Sequence, residues 1–214
     1  MTSIPYDVFT EPEISPDTLA NLGPLRRLAG TWQSDRGVDI NPKAAGPERR
    51  VFREHIEMLP VDAQTNGPQL LYGLRYHIHI NTAEEAITFH DQVGYWLWEP
   101  ATGTIMQSLT IPRGQAVLAG GTAKVGDKRI SVEARRGDTQ FGICSNAFIE
   151  AAFRTDYYRI DITFNDDDSW TYVTRTDLAV RGKTPAFEHR DTNTLRRVAP
   201  AKPNPLAGLT SKAG

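Results

Sequence analysis

Residues 70–80 have the sequence LLYGLRYHIHI, and this stretch decides the fold class of the chain. Its apolar residues stand at every second position, namely Tyr72, Leu74, Tyr76, Ile78 and Ile80. A period of two is typical of a β-strand with one face in a core and the other in water. The sequence therefore predicts a strand whose outer face carries His77 and His79.

Similar β-type runs continue from Thr31 to about Val198, separated by turn signals and not by helix-length segments. One of these runs is Phe148–Phe153, and Asn165–Asp168 between two strong runs predicts a tight hairpin. About ten short strands favour an antiparallel meander, and closure into a barrel removes its exposed edges. We predict an all-β, calycin-like closed barrel of about ten antiparallel strands, wide enough to hold a small ligand.

The domain boundaries follow from composition. Residues 1–16 are rich in proline and acid and predict a flexible arm, and Ser15-Pro16-Asp17 then predicts a short N-terminal helical segment. We expect one barrel domain over residues 17–198. Residues 199–214 contain three prolines among small and polar residues, which predicts a disordered tail.

Overall composition excludes several classes of function. The 24 Lys and Arg residues nearly balance the 26 Asp and Glu residues, so no strong field attracts nucleic acid or an anionic membrane. The single cysteine, Cys144, excludes an internal disulfide and a cysteine-based metal site. No run approaches the roughly 20 apolar residues of a membrane span, and the N-terminus lacks signal-peptide features. We expect a cytoplasmic protein with no nucleic-acid or membrane partner, and a homodimer remains open.

The predicted last strand places His189 in the interior. Its inner face carries Phe187, His189, Asp191, Asn193 and Leu195, because the alternate positions are wholly polar. A buried imidazole needs a hydrogen bond, a metal ion or the iron of a porphyrin. The simpler interpretation is a core histidine that is hydrogen bonded to an acid across the barrel.

His90 is the second candidate for the interior. It shares a strand face with Gln92, Trp96 and Trp98, and aromatic bulk with a few polar groups is typical of a cavity wall. The alternative is an outward face on which His90 lies beside two partly exposed tryptophans.

His77 and His79 are two residues apart on one strand face, which is suitable spacing for two ligands of one metal ion. With Glu84 they nearly match a cupin metal motif, so a cupin-like metalloenzyme is a further, less favoured hypothesis. The opposite face of this strand is apolar, which predicts that both histidines, like His55, face solvent. The sequence contains no nucleophile elbow and no phosphate-binding glycine loop, and Cys144 is expected to be an inert small hydrophobe.

Three motifs, in order, carry a family resemblance. Pro24-Leu25-Arg26-Arg27-Leu28-Ala29-Gly30-Thr31-Trp32 opens the first strand, His90-Asp-Gln-Val-Gly94-Tyr95 lies in a middle strand, and the last strand holds His189. Over about residues 22–198 this set resembles the nitrobindin family of haem-binding barrels, which are similar to fatty-acid-binding proteins.

The resemblance implies a ligand and a set of binding residues. Haem b would bind in the barrel with His189 as the axial iron ligand and His90 on or near the distal side, while Trp32 would plug one end. The expected ligand-binding set is His189, His90, Trp32, Trp96, Phe187 and Asp191. Some family members isomerise peroxynitrite, so that activity is one alternative. The other is an iron-free carrier of a fatty acid or similar lipid, with the polar residues of the last strand around its head group.

Overall fold

The computed structural model describes residues 7–84 and 87–210, of which most belong to a β-barrel. The strands are β1 (Gly30–Lys43), β2 (Gly46–Asn66), β3 (Gln69–Thr82), β4 (Thr88–Glu99), β5 (Thr104–Ile111), β6 (Gln115–Thr122), β7 (Arg129–Arg136), β8 (Gly142–Ser145), β9 (Phe153–Phe164), β10 (Ser169–Val180) and β11 (Phe187–Pro200). The helices are α1 (Thr18–Asn21), a 3-10 helix (Gly23–Leu28), α2 (Ala147–Ala152) and α3 (Pro205–Thr210).

The sheet closes in the order β1-β11-β10-β9-β7-β8-β6-β5-β4-β3-β2, with β2 returning to β1. The pairings are antiparallel except for the short parallel contact between β7 and β8. The all-β closed barrel is confirmed, with eleven strands instead of about ten. The additional strand, β8, is only four residues long, which is why its sequence carries little alternation.

The predicted strand at Phe148–Phe153 is wrong. Residues 147–152 form helix α2, because the Asn146 side chain caps the helix by accepting a hydrogen bond from the Ile149 amide at 2.9 Å. Two other local predictions are confirmed. The Asp17 side chain caps α1, and Asn165 and Ser169 form the backbone hydrogen bond that closes the β9–β10 hairpin.

A bulge in β1 decides which of its residues face inward. Ser34 pairs with Glu54 and Gly37 with Phe52, so β1 contains one residue more than β2 between these two pairs. An extra residue reverses the faces of the residues that follow it. Trp32 is buried before the bulge and Asp39 is buried after it, although their numbers differ by an odd count.

One end of the barrel is closed by aromatic packing. The Trp32 indole is 1% exposed, donates to the Leu28 carbonyl at 2.8 Å and meets Trp170 edge-on with ring centroids 5.8 Å apart. The Arg197 guanidinium lies over the Trp32 ring, 4.1 Å from its centroid. The 3-10 helix buries Leu25 and Leu28 in the same cluster. Trp32 therefore plugs this end, as its motif predicted.

The first and last segments of the described residues contact the closed end of the barrel. Residues 7–16 form no helix or strand and are mostly exposed, and residues 1–6 of the expected arm lie outside the described residues. Residues 199–210 differ from the expected disordered tail, because they complete β11 and form α3. The buried Asn204 side chain explains this: it accepts from the Thr18 amide and donates to Asp62 and to the Pro16 carbonyl. No helix in the described ranges is long and apolar enough to cross a membrane.

Gly94 gives a test of the barrel packing. An alanine Cβ at this position would lie 2.0 Å from the Ser108 carbonyl oxygen, which is backbone and cannot move aside. We expect Gly94→Ala to lower the free energy of unfolding by about 2 kcal/mol or more, as overpacked cores do. Urea denaturation measures the effect. The control is Gly208→Ala in α3, where a Cβ meets nothing within 4 Å, and an equal loss there would contradict the packing argument.

Candidate functional site

The barrel encloses a cavity of about 690 Å³, within the range of ligand-binding pockets. Its walls are mainly apolar, from residues such as Ile56, Met58, Ile78, Ile80, Trp96, Leu109, Val117, Ile160 and Ile162. Trp170 lines the cavity and packs on Trp32, so it forms the floor above the closed end. Lys43, Arg113 and Phe148 lie at the other end, near the β1–β2 turn, the β5–β6 turn and α2, which together form the mouth.

The predicted site residues separate into two groups. The cavity lining includes His189, His90, Trp96 and Asp191. Trp32 and Phe187 are not among the lining residues, because Trp32 lies below the floor and Phe187 stands at the start of β11. The histidines predicted to face solvent do so, and they are His55, His77 and His79.

His189 is held between two carboxyl groups. Its Nε2 lies 2.6 Å from Asp39 Oδ1 and 3.7 Å from Asp191 Oδ1. Asp39 and Asp191 are directly opposite in the β1–β11 ladder. Thr174 donates to Asp191 Oδ2 at 2.9 Å and Asn41 donates to Asp39 Oδ2 at 2.5 Å. None of the described residues forms a hydrogen bond with the other ring nitrogen of His189, Nδ1.

Asp39, His189 and Asp191 form a trio of side chains in which burial and the close contacts shift all three pKa values. Burial acts to lower the pKa of His189, but the hydrogen bond to Asp39 and the charge of Asp191 outweigh it and raise the pKa. Burial acts to raise the pKa of Asp39, but hydrogen bonds from His189 and Asn41 lower it below its usual range. The pKa of Asp191 is raised to about 6, mainly by burial. The shift of the His189 pKa favours its protonated form and that of Asp39 its carboxylate form, while Asp191 is a second carboxyl group with a pKa of about 6.

A hydrogen-bond network fixes His90 on a different wall. Tyr76 donates to the Ser108 carbonyl at 3.0 Å, and the Gln92 amide donates to the Tyr76 hydroxyl at 2.7 Å. The Gln92 carbonyl oxygen is thus left to face His90 Nε2, at 3.3 Å. A carbonyl accepts, so Nε2 of His90 carries the proton. Burial lowers the pKa of His90, which makes the ring neutral and leaves Nδ1 with a lone pair.

Glu54 is a third carboxyl group in the cavity wall. It is 4% exposed, and its Oε2 accepts from the Tyr172 hydroxyl at 2.8 Å and from the Asn193 amide at 2.7 Å. Burial raises the pKa of Glu54 to about 7, against the lowering effect of these two hydrogen bonds. A carboxyl group in this environment is poised between its neutral and charged forms near physiological pH.

Sequence reasoning missed two of the three acidic residues in the described cavity lining, Asp39 and Glu54. Glu54 had a visible signal, because it stands at an inward position between Phe52 and Ile56 in β2. Asp39 had none, since the β1 bulge reverses its expected face. The partner of His189 was foreseen only as an acid across the barrel.

Lysine and arginine among the described lining residues are found only at the mouth. Among the described lining residues, Lys43 and Arg113 carry permanent positive charge, and both are exposed. Lys43 Nζ lies 3.5 Å from Glu48, and Arg113 donates to the Phe89 carbonyl at 2.9 Å. The inner wall carries acids and the mouth carries bases.

Comparisons with known proteins point to one family. A family model described as a THAP4-like, heme-binding beta-barrel domain matches residues 21–197. Among solved structures, the crystal structure of Rv2717c from M. tuberculosis aligns with a TM-score of 0.56 at 18% sequence identity, covering 86% of this chain and 99% of that chain. At this identity the likeness concerns the fold alone. No curated protein matches the chain.

The environment of Glu54 predicts a pH-dependent stability. Its pKa of about 7 in the folded state lies above the ordinary value of 4.5, so the folded state binds more protons between these values. Stability is therefore lost as pH rises from about 4.5 to about 7, and Glu54→Gln removes this loss. We expect the variant to gain on the order of 2 kcal/mol relative to wild type between pH 5 and pH 8, measured by urea denaturation.

Glu57→Gln is the matched control for this prediction. Glu57 is an exposed carboxylate on the outer face of the same strand, so its replacement should change stability by less than about 0.5 kcal/mol at either pH. A constant difference between Glu54→Gln and wild type across this pH range would show that Glu54 does not titrate there.

Proposed function

Because the chain belongs to the family of THAP4-like, heme-binding β-barrel domains, we propose that its barrel binds haem b in the cavity, with His189 as the axial iron ligand. The predicted relation to nitrobindin-like barrels is confirmed at the level of the family, which supports a haem-type or other hydrophobic ligand in the barrel.

The contact between His189 and Asp39 is the observation that carries the proposal. Histidines that ligate metals commonly donate a hydrogen bond from their other ring nitrogen to a carboxylate, which orients the ring and makes it a stronger ligand. Asp39 occupies Nε2 of His189 at 2.6 Å, so Nδ1 is the nitrogen that would release its proton and hold the iron. His189 lines an apolar cavity of about 690 Å³, and this donor set and lining fit a haem.

Each part of the cavity has a task in this proposal. The apolar walls exclude water from the porphyrin, and Asp39 orients the His189 ring. Lys43 and Arg113 at the mouth suit the two propionate groups of haem b. When bound, the haem supplies an iron centre that can accept a further small ligand. His90, neutral and protonated on Nε2, offers a hydrogen-bond acceptor at Nδ1 from another wall of the same cavity.

A fatty acid with its carboxylate head group near the last strand fits the cavity less well than haem. The inner wall contains three carboxyl groups, those of Asp39, Glu54 and Asp191, and the histidine beside them, His189, is already paired with Asp39, so the described inner wall offers no free cation to a carboxylate head group. A neutral ligand is favoured by a different feature. The indole N–H of Trp170 on the cavity floor is buried and has no hydrogen-bond partner among the described residues. An apolar molecule with one neutral acceptor, such as an alcohol or a ketone, is therefore the second candidate.

Hemin titration of the apo-protein with three variants tests the assignment of His189. We expect saturation near one equivalent and a histidine-ligated Soret spectrum in wild type and in His77→Ala, which alters only the outer wall. His189→Ala should lose the ligated spectrum. His90→Ala should keep it, since His90 is assigned to another position.

Two results would overturn this assignment. If His90→Ala loses the ligated spectrum and His189→Ala keeps it, the axial iron ligand is His90 and not His189. If none of these proteins binds hemin specifically, haem is excluded as the ligand. Neutral apolar molecules that bind at Trp170 would then be the ligands to test.

The mouth gives an independent test of ligand orientation. The double change Lys43→Gln and Arg113→Gln should weaken hemin binding by about three- to tenfold, because exposed charge pairs contribute up to about 1 kcal/mol each. Binding of hemin dimethyl ester, which lacks the two propionate charges, should not respond to the change. The control is Lys183→Gln, which removes a nearby exposed charge from outside the lining. Equal weakening of both ligands would contradict propionates at the mouth.

A further inference from the structure

Three of the five histidines lie on the outer wall of the barrel, away from the cavity. His77 and His79 alternate along β3 with Ile78 and Ile80, which line the cavity, so the two imidazoles point outward. Their side chains are 46% and 36% exposed. This histidine pair takes no part in the site described above.

Asp91 joins the two histidines from the neighbouring strand. It is directly opposite His79 in the β3–β4 ladder and is therefore on the same outer face. His77 Nε2 lies 2.9 Å and His79 Nδ1 lies 3.2 Å from the same oxygen, Asp91 Oδ2. The hypothesis of a cupin-like site expected Glu84 as the acid, whereas Asp91 supplies it in the structure.

The spacing of these three donor atoms suits a tetrahedral metal ion. Zinc binds imidazole nitrogen and carboxylate oxygen at about 2.0–2.2 Å, so neighbouring ligand atoms are separated by roughly 3.3 Å. Each nitrogen is already within a few tenths of an ångström of this distance from Asp91 Oδ2, and all three donors lie within 4.8 Å of one another. Small rotations of exposed side chains are enough to open the site around an ion.

The chemistry of the donors selects the class of metal. Two imidazoles and one carboxylate suit zinc and its neighbours among the divalent transition metals. Calcium and magnesium prefer sets of oxygen ligands, and they are disfavoured here. The exposure of the three side chains leaves the remaining coordination positions to solvent or to a ligand from another molecule.

We propose that His77, His79 and Asp91 form a binding site for a divalent transition-metal ion, with zinc as the representative, on the outer wall of the barrel. Two adjacent strands hold the three ligands at fixed register, so the site needs no rearrangement of the backbone. It is separate from the haem site and does not depend on it.

Cobalt and zinc titrations of the apo-protein, without a histidine tag, test this proposal. Cobalt reports through its visible absorption, and zinc through competition with a chromogenic chelator. We expect binding near one equivalent in wild type and at least about tenfold weaker binding in His79→Gln and Asp91→Asn. All three residues are at the surface, and circular dichroism confirms that the variants are folded.

Two control variants separate this site from its competitors. His189→Gln disrupts the interior trio with Asp39 and Asp191, whose donor atoms could also hold an ion. Asp166→Asn removes an exposed carboxylate from the β9–β10 hairpin, away from this cluster. Both should bind as wild type does. Loss of binding only in His189→Gln would place the metal in the cavity and overturn the proposal, as would the absence of binding in wild type.

Discussion

The pairing of the first strand with the last is the constraint on which the interior depends. The β1–β11 ladder closes the barrel and brings Asp39 opposite Asp191, which the chain separates by most of the domain. The bulge between Ser34 and Gly37 turns Asp39 inward just before it reaches that partner. Without the closure and the bulge, His189 would lack the carboxylate at Nε2, and the cavity would lose its polar centre.

Buried carboxyl groups normally destabilise a core, and this barrel gives hydrogen-bond donors to those of Asp39 and Glu54. A charged group without a partner in an apolar interior costs several kcal/mol. Asp39 is paired with His189, while Glu54 has Tyr172 and Asn193 as donors. The walls around these groups are apolar, so most of the polar groups lie in a few hydrogen-bonded clusters. This arrangement is typical of a ligand cavity and not of a core built for stability alone.

The outer and inner faces of the strands could be predicted from the sequence because they depend on local alternation. The alternation placed His77 and His79 outside and His189 inside, and Gly30-Thr31-Trp32 indicated the plugged end. Alternation fails where a strand is irregular, so the bulge hid Asp39.

Other features depend on contacts that the sequence does not show. Helix α2 depends on a single cap at Asn146, and the four residues of β8 are too few for a pattern. The hydrogen bond between Glu54 and Asn193 joins two strands that are far apart in the chain. Pairing of this kind can be recognised only when the topology is known.

The strands β3 and β4 carry two separate chemistries on their two faces. The inward residues Ile80, His90 and Gln92 belong to the cavity wall, while the outward residues His79 and Asp91 belong to the surface cluster. Because consecutive side chains of a strand point to opposite sides, His90 and Asp91 are neighbours in sequence and yet belong to different sites. A change confined to one face therefore leaves the ligands of the other face in place, and the two sites can be altered independently by substitution.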